Sequence, residues 1–331
     1  MRFQLSGDQR ALRDGVREVL ARRFGPRELR AAADRPPALD RALWRALGDA
    51  GFFALRLPES EGGVGLGLPE AVLAFEEAGR VLLPGPLIAT HLAAGRVPGA
   101  ATGEAVVTAV DGGRVEWLTE ADVVEGGGGR GVAGSGAVAL RSVDPLTPLH
   151  RLPAAPAVSA GPEAVPDPVA VLLTAAEQLG GATRACELAV QHARTREQFG
   201  QPIGGFQAVK HLCAELLVRV EVARAAVYGA AVTADPADIA TARLLADEAA
   251  VRGARDCLQV YGGMGFTWEA EVHLVLKRAW CAPDVPGAAR RVRSCWRASC
   301  CPERVAGASA CTDGRRPGGV SMIVASTDHT A

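Results

Sequence analysis

Apolar residues recur at helical spacing along most of the first hundred positions. Leu12, Val16, Val19 and Leu20 share one face of a segment over about 8–24, and Ser6 stands where an N-cap would accept its first free amide. Leu43, Trp44 and Leu47 make the stripe of a second helix over 39–50. A third covers 69–81, with Pro69 in its first turn, where a missing N–H costs least. Pro84 and Pro86 open a fourth, short segment reaching His91 and Leu92. From about 99 to 166 the period shortens and glycine and proline punctuate it. Stretches at 105–110, 115–118 and 132–140 read as strands, too few for an independent sandwich or barrel. Seven prolines between 145 and 168 read as a surface connector.

Wide apolar faces then return. Leu172, Leu173, Leu179 and Leu188 mark a helix over 169–196, and Val209, Leu216, Val220 and Val227 mark one over 206–234. Pro236 opens a third that runs to 260, and a shorter one spans 269–280, which together predict a four-helix bundle. The fold class read from the pattern is mainly α. It has a helical domain over 1–98, a reduced β region with a Pro-rich connector over 99–166, a helical bundle over 167–280 and an irregular tail over 281–331.

Charge and cysteine content narrow the function. Thirty-six Lys and Arg against 37 Asp and Glu leave a net charge of −1 over 331 residues, which argues against a nucleic-acid or anionic-membrane coat. No apolar run reaches the ~18 residues of a membrane span, and the first residues lack a secretory h-region, so a cytosolic setting is expected. Cys186, Cys213 and Cys257 are scattered through helical patterns and read as small buried apolar residues, while five more cysteines crowd the tail. None has zinc spacing, so no metal is expected. The tail's composition reads as either disordered or out of frame.

Three stretches could carry chemistry. PESEGGVGL at 58–66 holds a glycine cluster but follows no βαβ strand and lacks a P-loop lysine, so it reads as a structural turn. RTREQFGQPIGGFQ at 194–207 ends one long helix and begins another. Arg196 there could pair two phosphate oxygens with its planar fork, or simply be a solvated charge. QVYGGMGFTWE at 259–269 closes a helix with glycines that let backbone approach a ligand, or that only cap and turn the chain.

Taken together, TREQFGQPIGGFQAVKH followed by QVYGGMGFTWE, with PESEGGVGLGLPEAVLAFEEAG upstream, resembles the acyl-CoA dehydrogenase family over most of residues 1–280. The resemblance implies FAD held across a subunit interface, with its diphosphate gripped by positions matching Arg196, Phe199, Gln207, Gln259, Gly262 and Gly263. It also implies an acyl-CoA substrate, α,β-dehydrogenation and an electron-transfer flavoprotein or similar acceptor. The family's carboxylate base does not carry over: by the resemblance, the two positions where members keep it fall near Pro286 and near Ala170, and neither is acidic. The nearest acids are Asp284, Asp167 and Glu177, so no catalytic residue is assigned. The family's flavin-touching β-domain segments are missing too, with Trp117-Leu118-Thr119 only an echo of one.

A flavin grip without a base is similar to the short subunit of heteromeric acyl-CoA dehydrogenases of bacterial steroid side-chain degradation. That resemblance implies a larger partner subunit in an α₂β₂ assembly. Two alternatives stand beside it: a self-sufficient homo-oligomer using a displaced base such as Asp284 or Glu177, and a helical assembly scaffold without flavin.

Overall fold

The computed structural model describes residues 4–111, 113–126, 136–152 and 167–281. The readings made for 132–135, for most of the Pro-rich connector and for 282–331 lie outside the described residues. The N-terminal part carries five helices: α1 (Gly7–Arg23), α2 (Pro26–Ala33), α3 (Arg41–Asp49), α4 (Leu68–Arg80) and α5 (Leu87–Ala93). Ser6 caps α1 as expected, its hydroxyl accepting from the Gln9 amide at 3.1 Å while the Gln9 side chain accepts from Ser6 N–H at 3.0 Å. Asp40 caps α3, which buries the Leu43, Trp44 and Leu47 stripe. Helix α2 escaped the sequence reading because it buries only Leu29 and Ala33, too few positions to show a period.

Four helices form the bundle: α6 (Pro168–Thr195), α7 (Gln207–Thr233), α8 (Pro236–Tyr261) and α9 (Val272–Cys281). Helix α9 starts later than its sequence suggests because the preceding segment is held elsewhere. Arg30 of α2 donates to the carbonyls of Trp268 and Glu269, and the Trp268 indole N–H donates to Asp34 at 2.5 Å. One hydrophobic core runs through both helical parts, from Leu20, Phe53 and Phe75 to Leu172, Leu216 and Leu258. Its seam is the crossing of α4 and α6. A Cβ on Gly79 would lie 2.1 Å from the Glu177 carbonyl oxygen, and one on Gly180 would lie 2.0 Å from the Glu76 carbonyl oxygen. The two backbones therefore touch, and only glycine fits at either position.

The β region is one five-stranded sheet in the order β3-β1-β2-β5-β4, made of β1 (Val107–Asp111), β2 (Arg114–Glu116), β3 (Val123–Glu125), β4 (Val138–Leu140) and β5 (Leu149–Arg151). Strands β1 and β3 run parallel and the other pairs antiparallel. Strand β5 corrects the reading of 145–168 as connector throughout. Pro145 and Pro148 precede it rather than interrupt it, which leaves Leu149, His150 and Arg151 free to pair on both sides. Strand β3 was also missed, being only three residues of VVE between polar neighbours.

Thr90 of α5 exchanges two hydrogen bonds with Val107 of β1, each 3.0 Å, Arg41 of α3 reaches Asp122 beside β3, and one buried guanidinium ties the other side of the sheet to the helices. Arg278 of α9 donates from Nε to the fully buried Asp144 at 2.5 Å, and from its terminal nitrogens to the carbonyls of Leu83 at 3.2 Å and Leu82 at 3.5 Å. Asp144 in turn accepts from the Leu146 amide at 2.9 Å and the Thr147 hydroxyl at 2.8 Å. A single cation thus joins α9, the turn after α4 and the loop before β5.

Candidate functional site

Between α6 and α7 the chain makes a tight hairpin, β6 (Glu197–Gln198) pairing with β7 (Gln201–Pro202). Its tip is Phe199 and Gly200, both at positive φ, 55° and 79°. Arg196 is the C-cap of α6, and its carbonyl accepts from the Ile203 amide at 2.8 Å, so its backbone is fixed at both ends. Its side chain is exposed and makes no ion pair among the described residues. Phe199 is 91% exposed and meets Phe206 edge-on, the ring centroids 6.0 Å apart. Gln207 is the exposed first residue of α7. Phe206 occupies the N-cap position there and offers no side-chain acceptor, unlike Ser6, Asp40, Asp167 and Asp235, which cap α1, α3, α6 and α8. The amides of the first turn of α7 keep their donor capacity.

Helix α8 ends beside this hairpin. The His192 ring near the end of α6 stacks on Tyr261, the last residue of α8, with centroids 4.0 Å apart and planes 14° from parallel. The pairing was not legible in the sequence, where neither ring has a periodic partner. Burial, and then the charge of Arg196, hold the His192 imidazole below its ordinary value, so the cationic charge here belongs to the arginine. Gln259 is exposed on the last turn of α8, and Gly262 turns the chain with φ 60° and ψ −143°. A Cβ on Gly262 or Gly263 would meet nothing within 4 Å, so packing inside the chain does not require glycine at either. Gly265 differs, since a Cβ there would come within 2.9 Å of Leu258.

The structure therefore gathers both motifs at one end of the bundle. Arg196, Phe199 and Gln207 come from the α6–α7 corner, and Gln259, Gly262 and Gly263 from the end of α8. An arginine fork, two primary amides, open helix amides and unobstructed glycine backbone form a donor set that fits a diphosphate. All six positions are exposed, so the set is a face rather than a pocket.

The other expectations resolve locally. In the 58–66 turn the amides of Gly63 and Gly65 donate to Pro58 and Leu57 at 3.0 and 2.9 Å, and a Cβ on Gly63 would lie 2.0 Å from the Leu57 carbonyl oxygen. Those amides bond within the turn itself and leave no phosphate cradle. Asp167 is the N-cap of α6, accepting from Val169 N–H at 2.8 Å. Asp284 and Pro286 lie outside the described residues. Ala170 is in the first turn of α6. Glu177 follows it by seven residues, nearly two full turns, and so faces the same way about 10 Å further along. Its carboxyl is pushed up to about 7, first by burial and then by the Glu116 charge, against the pull of Arg278 and Arg243. Trp117 is 1% exposed, with its ring in the main core, and cannot touch a ligand. Cys186 and Cys257 are buried free thiols pushed up to about 11 and about 12 by burial, which suits packing rather than reactivity. No metal-holding group of His, Cys, Asp or Glu exists among the described residues, and no helix among them is long and apolar enough to cross a membrane.

Comparison with known proteins places this architecture. Residues 6–104 match the acyl-CoA dehydrogenase N-terminal domain and residues 171–287 its C-terminal domain. The chain is 36% identical over 288 residues to the acyl-CoA dehydrogenase IpdE2 of Mycobacterium tuberculosis, covering 82% of this chain and 91% of that one. Its fold is similar to a chain of the ChsE4–ChsE5 complex from Mycobacterium tuberculosis, with TM-score 0.72 and 27% identity over 89% of this chain and 98% of that one. It also has the fold of a chain of the Tcur3481–Tcur3483 steroid ACAD, with TM-score 0.73 and 24% identity over 91% and 99%. With both domains matched, and a relative this similar spanned almost end to end, the chain belongs to the acyl-CoA dehydrogenase family.

Proposed function

We infer that this chain is the flavin-site partner subunit of a heteromeric acyl-CoA dehydrogenase that desaturates an acyl-CoA thioester of the steroid side-chain type. A larger family subunit supplies the carboxylate base and most of the thioester site. The observation that carries this reading is the exposed diphosphate-type donor face at the end of the bundle. Arg196 has no counter-ion among the described residues, and Phe199 and Phe266 stand 91% and 80% exposed beside glycines that internal packing leaves open. Similarity to chains of the ChsE4–ChsE5 complex and of a steroid ACAD supports the heteromeric and steroid parts. Bound here, FAD would supply the hydride-acceptor chemistry of the dehydrogenation. This chain's part is binding: Arg196 and the α7 amides neutralise the diphosphate, Gln207 and Gln259 orient it, Gly262 and Gly263 let it approach, and Phe199 covers it from water.

Co-expression with a full-length acyl-CoA dehydrogenase subunit is expected to yield a yellow complex. Arg196→Ala should leave the complex assembled but lower its bound flavin at least tenfold. A complex that keeps its flavin in the variant would remove Arg196 from the site, and a colourless wild-type complex would favour a scaffold. One observation favours the self-sufficient reading instead, namely the Glu177 carboxyl lifted to about 7 on the same helix face as Ala170. Turnover by the lone chain, abolished by Glu177→Gln, would establish that reading.

A further inference from the structure

Inside the chain, the two halves of the donor face are joined by a pair of rings. His192 lies one turn before Arg196 on α6, and its carbonyl accepts from the Arg196 amide at 2.8 Å. Its imidazole lies flat on Tyr261, the residue before Gly262, with centroids 4.0 Å apart. Both rings are half-buried, so a ligand on the face comes close to them. A flat stack occupies the ring faces and leaves the imidazole edge, where both nitrogens sit, outside the contact. Among the described residues, His91 and His273 each hold a main-chain carbonyl, at 3.0 and 3.1 Å, while neither nitrogen of His192 has a hydrogen-bond partner.

Charge at this end of the bundle is short by one. Of the six donor-face positions only Arg196 is charged, whereas the diphosphate of a dinucleotide carries two negative charges. The groups around His192 leave Arg196 as the one charge acting on the ring. On α8 the Tyr261 phenol is pushed up by burial and then by Cys257 and Glu271, and burial pushes the Cys257 thiol up to about 12, so both are neutral near pH 7. Glu271 is held by Arg184 through two bonds of 2.9 Å. Arg194, Glu197, Lys210 and His211 stand around the same corner, all exposed to solvent that screens them. Burial, and then Arg196, keep the His192 imidazole below its ordinary value. The stack itself is indifferent to protonation, because an imidazolium at this distance makes a cation–π contact with the phenol ring.

We propose that His192 is a conditional second cation of the donor face, neutral while the face is empty and protonated when a dinucleotide diphosphate sits on Arg196, so that binding the flavin takes up one proton. The proposal rests on the flavin-site reading above and deepens it. With the face empty, the guanidinium opposes a second positive charge beside it. With the diphosphate in place the net charge at the corner changes sign, and the same ring gains proton affinity. By linkage the ligand then binds more tightly to the protonated chain. Affinity rises as pH falls from the ring's value in the occupied face to its value in the empty one, and is level on either side. The diphosphate is fully ionised throughout that range, so the slope belongs to the protein. His192 acts here as a positioning residue, holding a proton beside the guanidinium and fixing the end of α6 against the end of α8.

The test is titration of FAD into the flavin-stripped complex of this chain with its full-length acyl-CoA dehydrogenase partner, followed by flavin fluorescence from about pH 5.5 to about pH 8.5. Wild type is expected to bind about tenfold more tightly at the acid end, the effect of one pKa unit of coupling. His192→Phe keeps a flat ring on Tyr261 and cannot titrate, so it should match wild type at the alkaline end and lose the rise. His211→Gln, at the other imidazole of this corner, should keep it. A second measurement needs neither partner nor flavin: carbon-13 NMR of the histidine rings in the chain alone, where Arg196→Gln should bring the His192 titration up towards 6.5. A flavin-bearing complex with pH-independent affinity, a rise that survives His192→Phe or vanishes in His211→Gln, or a His192 titration indifferent to Arg196→Gln would each overturn the proposal and leave the flavin reading intact. A wild-type complex without affinity for FAD at any pH would overturn both.

Discussion

Glu177 shows what a one-dimensional reading of distance misses. Counted in residues it is displaced from Ala170, yet on a helix the displacement is axial, and the carboxyl keeps the same heading. Its surroundings hold the protonated form. The ordinary value of 4.5 is raised to about 7 in the folded chain, so the fold binds this proton more tightly than the unfolded chain does. Its contribution is full below pH 4.5 and is lost as pH rises from there to 7. Glu177→Gln keeps the neutral form at all pH values. Urea titrations should therefore show the variant up to ~3 kcal/mol more stable than wild type at pH 8, and the two alike near pH 4. Identical pH profiles would show that the carboxyl is not held neutral. His91 works in the other direction. Buried with its Nδ1–H on the Phe53 carbonyl at 3.0 Å, it is pushed down to about 4 and takes stability away as pH falls from 6.5 towards 4. Stability is thus eroded from opposite sides by two side chains that share no contact.

At the scale of elements, the helices were legible wherever an apolar face repeats over several turns, as in α1, α3, α4 and the bundle. Ser6 and the proline starts fixed several beginnings to within a residue or two. What stayed hidden was set by partners distant in sequence. The late start of α9 depends on Arg30 and Asp34, strand β5 depends on β2 and β4, and α2 is too short to declare itself. The six positions proposed to grip the diphosphate stand out in the sequence only through the family motifs, because exposed Arg, Gln and Gly residues have no periodicity. The α4–α6 crossing was equally silent in sequence, although it allows the least change. Gly180→Ala would drive a methyl group into the Glu76 carbonyl with no side chain to yield. It should cost about 3 kcal/mol or more, read as a fall in melting temperature. Gly181→Ala, one residue along with open space around it, should be close to neutral and serves as the control.

The molecule as a whole is two helical parts fused through one core, with a sheet packed on them through Val106, Val107 and Trp117 and pinned by one buried ion pair. Asp144 is fully buried and answers to Arg278, whose other bonds go to main-chain carbonyls. Arg278→Met removes the cation and leaves that carboxylate in a dry site, a loss of about 3–5 kcal/mol. Hydrogen exchange should show the damage first in Val107–Asp111, Arg114–Glu116 and Leu149–Arg151, with α7 and α8 still protected. Equal loss of protection throughout would mean the sheet and bundle unfold as one.

The same guanidinium dictates an order of events at the ribosome. Asp144 and the carbonyls of Leu82 and Leu83 emerge from the exit tunnel long before Arg278 does. Until then the middle of the chain has a carboxylate made for burial and nothing to neutralise it. The sheet should settle late, after the long helices have met, and a nascent chain stalled short of residue 278 should expose its middle to chaperones and proteases while its N-terminal helices are already compact.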